Sequence, residues 1–591
     1  DSLTIDPANA SAHRFLSDSY LGIRRHEIAR VSELLQAQLL QDININPVQP
    51  SISSTNLNVF TLGGPAAPGF NEFTPLFQRN QAQFNATGFG GNNDTYGGEA
   101  VVSGLYGPLS LSAGAFSYDT DGWRDNNDLD QDIYDFFVQW AVSPELNLQA
   151  EYGYRDQNYG DLVFDFDPDD FLANERNHLD DNFTRFGLRY SPTTRSTYLL
   201  SYISTEITEK IKDFDQLDPF TTFSLYSDTD TDGDLPEGQY LYEGERFNLT
   251  VGGSYTSPDM HIRENVTFAD VDFGPFFEID TSRKMEAEQK HAYVYTNITA
   301  MDAVTWTVGA SYDDYQTGPS GNSDLFDETS FNPKLGVRWD VNDALQLRAA
   351  AFKVLKPTLV GNRTIEPTQV AGFNQLFDDA VGTKYWRYGL GADWHLSRNL
   401  VAGAEATWRN LDNEPITQVS LNEAGDVEVQ IDTEDRRERR NNLYLNWTPL
   451  EQVAVTAKFV YDYFESKENG ILAGVVPEKV DTYSLPVTAA YFNPDGFFAT
   501  LGGTYVDQDV DGTMSEFGET SPDGDSRFFL VDAAVGYRLP KRRGVVSLGV
   551  SNLFDRDFDY LDDSYREHSP GVVTGPYYPD RIVMGRATLN F

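Results

Sequence analysis

Alternate positions along this chain are apolar, and the alternation runs to its last residue. Counting back from the end, Phe591, Leu589, Ala587, Gly585 and Val583 are interleaved with Asn590, Thr588 and Arg586. A two-residue period with one apolar face is the mark of a β-strand. Leu146, Leu148, Ala150, Tyr152 and Tyr154 repeat it, as do Val304, Trp306, Val308, Ala310 and Tyr312. Further copies start at Leu400 and Phe497. These runs exceed the usual five or six residues of a soluble sandwich strand. They match the nine to eleven residues of a strand that crosses a bilayer.

The connections alternate too. Short turns fall near residues 106–108, 143–145, 191–194, 257–259, 300–302, 341–343, 396–398, 448–450, 493–495 and 539–541. Between them lie polar stretches at about 158–181, 213–240, 356–382, 412–434, 509–525 and 558–577. Short periplasmic turns and long outer loops are the rule in bacterial barrels. Ten short turns make twenty strands, and an opening strand near 81–91 with a closing one at 578–591 brings the expectation to about 22. The expected fold is all-β: an antiparallel transmembrane β-barrel over 81–591, preceded by a short helical hairpin. An even count leaves both termini in the periplasm of a cell with a bacterial outer membrane.

Residues 1–41 follow a different period. Ala12, Phe15, Leu16 and Tyr20 recur at helical spacing, and so do Ile28, Val31, Leu34, Leu35 and Leu39. The Asp6-Pro-x-Asn-x-x-Ala order resembles the opening of a tetratricopeptide repeat, which implies a periplasmic protein partner for the hairpin. Residues 42–80, rich in Asn, Pro, Ser and Gly, read as an irregular segment suited to a barrel lumen. The chain opens at Asp1, as a mature or shortened product would, with an export signal upstream.

Composition narrows the function. No run of about 18 apolar residues occurs, so the chain holds no transmembrane helix. Aromatics make up 13% of residues, enough for girdles at both membrane interfaces. The net charge of -47 removes nucleic acid from the partners and leaves outer-membrane lipid and lipopolysaccharide. With no cysteine, thiolate sites and disulfides are excluded. The seven histidines are scattered as isolated polar residues, and no hydrolase or metalloprotease motif occurs, so an enzyme is not expected.

Gly549-Val-Ser-Asn-Leu-Phe-Asp-Arg-Asp-Phe558, with Pro579-x-Arg581 and a terminal Leu-Asn-Phe, resembles the C-terminal signature of TonB-dependent receptors. Phe331-Asn-Pro-Lys-Leu-Gly-Val-Arg-Trp, followed by Leu345-x-Leu-Arg-Ala-Ala, is similar to that family's mid-barrel strand pair. The resemblance implies a 22-stranded barrel that moves or binds a solute across the outer membrane. It also implies a large plug and a TonB-contact box. Only residues 42–80 stand in the plug's place, and no such box is evident.

Two acidic runs carry candidate chemistry. Asp228, Asp230, Asp232 and Asp234 share the Asp-x-Asp-x-Asp-Gly pattern with Asp507, Asp509 and Asp511. Alternate carboxylates before a turn-forming glycine suit oxygen ligation of Ca²⁺ in outer loops. A full calcium loop would place Glu at its twelfth position; here Gln239 and Gly518 stand there, with Glu237 and Glu519 nearby. Arg436-Arg-Glu-Arg-Arg440 fits lipopolysaccharide phosphates or cross-strand acids equally well. By alternation, Glu151, Arg155, Asp313, Glu405, Arg409, Lys458 and Asp462 face inward. Three functions therefore stand open: a transport barrel, an export conduit for a polysaccharide or polypeptide, and a calcium-loaded surface anchor.

Overall fold

The computed structural model describes residues 2–20, 23, 25–43, 48–53, 80–216, 219–271, 273–321, 325–421, 427–467, 476–513, 521–566 and 576–591. Twenty-three ladder segments form one antiparallel sheet. Two of them are halves of one strand. Phe247–Thr256 and Asp259–Asp270 lie between the same neighbours and share one register, with Ser254 opposite Glu237 and Asp259 opposite Asp232. Pro258, which has no N–H, interrupts the ladder without shifting it. The barrel therefore has 22 strands. It closes where Gln81–Gly91 pairs with Ile582–Asn590, from Asn85 opposite Asn590 to Gly91 opposite Met584.

The wall is apolar outside and polar inside, as lipid outside and a filled lumen inside require. On Leu129–Ala141, Tyr134, Phe136 and Trp140 are exposed while Gln131, Asp135 and Gln139 are buried. At the closing seam Thr87 and Thr588 hydroxyls meet at 3.0 Å, facing in, whereas Leu589 and Phe591 face out. Outward tyrosines stack across strands near both ends of the wall, as Tyr134 on Tyr154 and as Tyr190 and Tyr240 on Tyr198.

The count of 22 survives one misplaced turn. Residues 257–259 are mid-strand, and the turn lies at Glu243–Phe247, where the Gly244 N–H donates to the Phe247 carbonyl (2.7 Å). Proline beside polar residues gives the same local signal in either setting. The stretch 213–240 is likewise strand rather than loop. Ser196–Gln216, Thr221–Glu243, Asp259–Asp270 and Gly274–Met301 pair into a four-stranded fin that rises beyond the neighbouring strands. The stretch 412–434 is also mostly strand, in the arms Leu400–Leu421 and Val427–Leu450; residues 422–426 lie outside the described residues.

The N-terminal residues form helices α1 (Ser2–Ile5), α2 (Ala10–Tyr20) and α3 (Glu27–Leu40). The hairpin of α2 and α3 does not hang below the barrel as a repeat unit. It stands inside it, and every residue of α3 is buried. Leu35, Leu39 and Leu40 pack on the inward Leu199, Ile203, Leu235 and Leu241 of the wall. A lone tetratricopeptide repeat needs a stacked neighbour to cover its apolar face; here the barrel wall covers it. Of the irregular segment 42–80, residues 44–47 and 54–79 lie outside the described residues. Its described part includes α4 (Pro50–Ser53), with Ser51 bonded to Glu99 of the wall (2.9 Å and 2.5 Å).

Candidate functional site: a filled lumen under a lid

Among the described residues, two longer segments fill the lumen beside α4, the hairpin and residues 356–383. The second was expected as an outer loop. Its apolar content, with Val360, Ile365, Val370, Phe373, Leu376 and Phe377 all buried, explains why it folds inward. It packs directly on α3. Asp378 accepts the Glu27 and Ile28 N–H groups (3.1 Å each), capping the helix from another part of the chain. Thr364 N–H donates to Ser32 (3.1 Å), and the Thr368 hydroxyl donates to Glu33.

The inward loop is fixed to the wall by buried polar bonds. Glu237 accepts the Ile365 N–H and the Thr364 hydroxyl (2.8 Å each), and the Tyr293 hydroxyl (3.2 Å). Glu366 lies 3.2 Å from His291 Nε2, and Nδ1 of that ring lies 2.6 Å from Asp313. Burial alone would raise the Glu366 pKa; His291 and Lys334 outweigh it and hold the carboxyl down to about 2. Lys334 donates to Gln375 (2.6 Å). His291 and His13 are thus buried network members, not isolated polar residues. His13 Nδ1 sits 2.5 Å from Glu33.

At the turn of the hairpin the charges converge. Arg25 donates to Asp379 and to Glu438 (2.8 Å each). Arg409 reaches the same two carboxylates, Asp379 at 2.5 Å and Glu438 at 2.7 Å. Arg566 approaches Glu438 (4.0 Å) and bonds Asp462 (2.7 Å). Glu438 is therefore bonded by a guanidinium from the hairpin and one from the wall, and lies within ion-pair range of one from the segment above. The Phe377 ring lies within cation–π range of Arg25, Arg387 and Arg409 (5.8, 4.7 and 4.2 Å to its centroid).

Arg566 belongs to a lid. Residues 160–175 and 552–566 reach across the long-loop end and join there as a two-residue ladder, Asp165–Phe166 with Tyr560–Leu561. Phe164, Phe528, Phe558 and Tyr560 form its core, flanked by Trp123 and Tyr577. Gln508 of the wall holds Leu561 by both backbone groups (2.7 Å and 2.9 Å). Burial and the neighbouring Asp562 lift the Asp165 carboxyl to about 7. Arg124 stacks on Trp123 and Phe171 at the margin.

The expected inward residues Glu151, Arg155, Asp313 and Arg409 are buried in the lumen, and Asp462 binds the lid. Glu405 pairs with Arg348 (3.2 Å), and Lys458 shares the inward alternation of Asp462. The arginine run divides by the same alternation. Arg436 and Arg440 go to Glu434 and Asp462, while Arg437 and Arg439 face out beside Glu465 and Tyr463. Arg25, Asp379 and Arg566 were missed, because nothing local in the sequence marks a meeting point of four distant segments.

The candidate calcium residues are not gathered. Asp228, Asp230, Asp232 and Asp234 lie in the strand Thr221–Glu243, and Asp507, Asp509 and Asp511 in Phe497–Asp511. Extended backbone spaces alternate Cα atoms roughly 6.5 Å apart, unlike the curled loop that the sequence pattern suggests. Arg263 takes Asp228 (3.0 Å) and Asp230 (2.8 Å), Arg527 takes Asp507 (3.1 Å) and Lys479 takes Asp511 (3.6 Å). Gly518 and Glu519 lie outside the described residues. Among the described residues, one group has converging metal-ligand atoms: Asp156, His178 and Asp180, within 4.8 Å of one another on the outward face.

The family model "TonB dependent receptor-like, beta-barrel" matches residues 78–553. Solved structures share the fold. A copper transporter, OprC, aligns at 13% identity and TM-score 0.65 over 88% of this chain and 81% of its own. The pyoverdine outer-membrane receptor FpvA from Pseudomonas aeruginosa gives 14% and 0.62 over 87% and 79%. The unliganded ferric citrate transporter FecA gives 14% and 0.61 over 88% and 80%. No curated protein matches by sequence.

Proposed function

Because the chain belongs to the TonB-dependent receptor-like β-barrel family, we propose that it is an outer-membrane receptor that captures a solute under its lid and admits it when the hairpin is displaced. In this reading the long-loop end faces outside, and the short turns and both chain ends face the periplasm. The observation that carries it is Glu438, shared by Arg25 of the hairpin, Arg409 of the wall and Arg566 of the lid.

The coupling follows from charge. Glu438 is held inside the barrel, where removing a partner leaves charge poorly compensated. A solute that draws Arg566 away from above leaves Glu438 to Arg25 and Arg409. A pull on the hairpin from below removes Arg25 and returns the demand to Arg566. Lid and hairpin positions are therefore energetically linked through one carboxylate. The N-terminal end is placed for such a pull: Asn248, beside the short turn after Glu243, donates to the Thr4 carbonyl (2.8 Å). A periplasmic energy-coupling protein is the proposed partner.

Opening of the lid would uncover the rings of its core and the Arg124 guanidinium, paired with Asp161 (3.3 Å) when closed, for a small anionic solute with planar groups, of the metal-chelate class. The ferric citrate and pyoverdine relatives support that class by their names. A standing-open export conduit fits less well, since the hairpin and residues 356–383 occupy the lumen.

Single-channel recording in planar bilayers tests the reading. The intact chain is expected to stay closed. A variant lacking residues 1–43, with barrel folding checked by heat-modifiable gel mobility, is expected to open in large steps. Equal conductance of the two rejects the hairpin as the gate.

A further inference from the structure

The fin carries a feature that capture and gating leave unused. Its strand Gly274–Met301 has 28 residues, far more than the nine to eleven that cross a bilayer. Its neighbour Val304–Pro319 pairs with it only as far as Met285, opposite Pro319. Residues 274–284 therefore continue for roughly 35 Å beyond that strand, at about 3.3 Å per residue. At the top, Phe273 is 91% exposed, Phe220 67%, Phe276 63%, Phe214 52% and Phe277 40%. Phe223 and Phe268 stack beneath them (5.3 Å). Phe214 lies in the row of Glu278 and Phe277 in the adjacent row, so the rings line both faces of the tip and together expose roughly 600 Å² at about 200 Å² per ring.

We propose that this tip is a docking surface for a partner protein that presents apolar side chains among lysines and arginines. The choice of partner rests on charge. Asp213, Asp215, Glu278 and Asp280 surround the rings, and among the described residues none of these four is in an ion pair. The fin's cations near the tip are engaged: Lys212, in the row of Asp280, lies over the Tyr226 ring (5.8 Å), and lower down Arg263 meets Asp228 and Asp230, Arg283 meets Glu264 (2.6 Å) and Lys284 meets Asp259 (2.9 Å). An acidic collar around an apolar centre repels a second copy of this chain, whose net charge is -47, and repels an anionic lipid surface. It attracts a basic partner and desolvates well against one.

The backbone adds a second means of attachment. On the side away from Asp259–Asp270, residues 274–283 have no strand partner among the described residues. The last bond on that side is Ser320 N–H to the Lys284 carbonyl (2.8 Å). An extended segment of the partner can pair with this edge. Glu278 and Asp280 share one face of the strand by alternation, and Phe276 stands beside them where the ladder shifts register, so a segment carrying apolar and basic residues would meet both chemistries at once.

The proposal rests on the orientation given above, and the test separates the two. With no native cysteine, Phe273→Cys can be labelled on intact cells by a membrane-impermeant maleimide. Failure to label overturns the orientation. Binding is read separately, by fluorescence anisotropy on the purified protein in nanodiscs. The probes are a labelled peptide alternating valine with lysine and its valine–glutamate counterpart. The lysine peptide is expected to bind saturably and at least roughly tenfold more tightly. Phe273→Ser with Phe276→Ser is expected to weaken it roughly tenfold, and Glu278→Gln with Asp280→Asn severalfold. Lysine-peptide binding that survives the phenylalanine changes is a net-charge effect and overturns the docking surface. Phe-dependent binding to anionic vesicles, or Phe-dependent pairing of discs by light scattering, assigns the tip to lipid or to a second copy and also overturns it.

Discussion

At the residue scale, the hairpin is held by groups whose protonation changes near neutrality. Burial pushes the His13 pKa down, but the Glu33 carboxylate and the Pro7 carbonyl outweigh it, and the net shift is upward. Burial lifts Glu27 to about 7 even though Arg30 stands 2.7 Å away. A raised pKa in the docked state stabilises docking fully below the ordinary value and loses that contribution as pH rises through the raised one. For Glu27 the window runs from its ordinary 4.5 to about 7, and His13 extends it upward from 6.5. Glu366 acts oppositely and far away, losing its contribution only as pH falls toward about 2. Between pH 5 and pH 8 the hairpin is therefore expected to loosen. Hydrogen exchange of the Glu27–Leu40 amides, corrected for intrinsic rate, should show less protection at pH 8, and His13→Gln with Glu27→Gln should flatten the trend. Calcium at the carboxylate runs is a proposal of the same scale. Arg263 neutralises Asp228 and Asp230, so Arg263→Ala is expected to raise Ca²⁺ affinity in calorimetric titration. Unchanged heats in the variant would remove calcium from the fin.

At the element scale, glycines in the wall record where the filling segments touch it. A β-carbon on Gly187 would stand 2.5 Å from Leu39 Cδ2 of α3. One on Gly336 would stand 2.5 Å from Ala371, and one on Gly389 2.5 Å from Phe373, both in the inward loop. Glycine in a strand often marks such a close approach. Gly187→Val is expected to displace the Leu39 side chain and forfeit part of its contact with the wall, at most about 2–5 kcal/mol by analogy with Leu→Ala in a core. Faster trypsin cleavage at Arg30 in a barrel of unchanged heat-modifiable mobility would show it; wild-type cleavage rates would mean the helix adjusts in place. The same glycines show what the sequence could and could not reveal. The two-residue period from Leu146 or from Phe591 depends only on which face meets lipid, so strands and their number were readable. The period of Ile28, Val31, Leu35 and Leu39 was readable as a helix for the same reason. What covers an apolar helical face is a tertiary fact, and a barrel wall and a neighbouring repeat require the same pattern. The inward course of residues 356–383 and the meeting of Arg25, Asp379, Glu438 and Arg566 depend on closure of the whole sheet, which no local window contains.

At the scale of the whole molecule, the lid and the hairpin meet at Glu438 inside one wall, and in the function proposed above admission of a solute requires both to move. The lid can be held without touching the hairpin. Asp165 and Leu561 face each other in the short antiparallel ladder that joins the two lid segments. Cα atoms in such pairs are about 4.5–5.5 Å apart, within the range a disulfide spans. Since the chain has no cysteine, Asp165→Cys with Leu561→Cys can form one bond and no other. Loss of Asp165 costs little, because burial and Asp562 already lift its carboxyl to about 7. Under oxidising conditions the variant is expected to lose solute-dependent protection changes in α3, and to regain them on reduction. If the lid merely filters while the hairpin responds to the periplasm alone, oxidation will leave α3 unaffected. If Glu438 links the two, a locked lid keeps Arg566 at Glu438 and so fixes how far Glu438 depends on Arg25, whatever the solute does. Glu438→Gln in the same background decides between a mechanical and an electrostatic link. It leaves three guanidiniums around a neutral amide, a loss of about 3–5 kcal/mol for a buried pair. It is expected to free α3 exchange from the state of the disulfide.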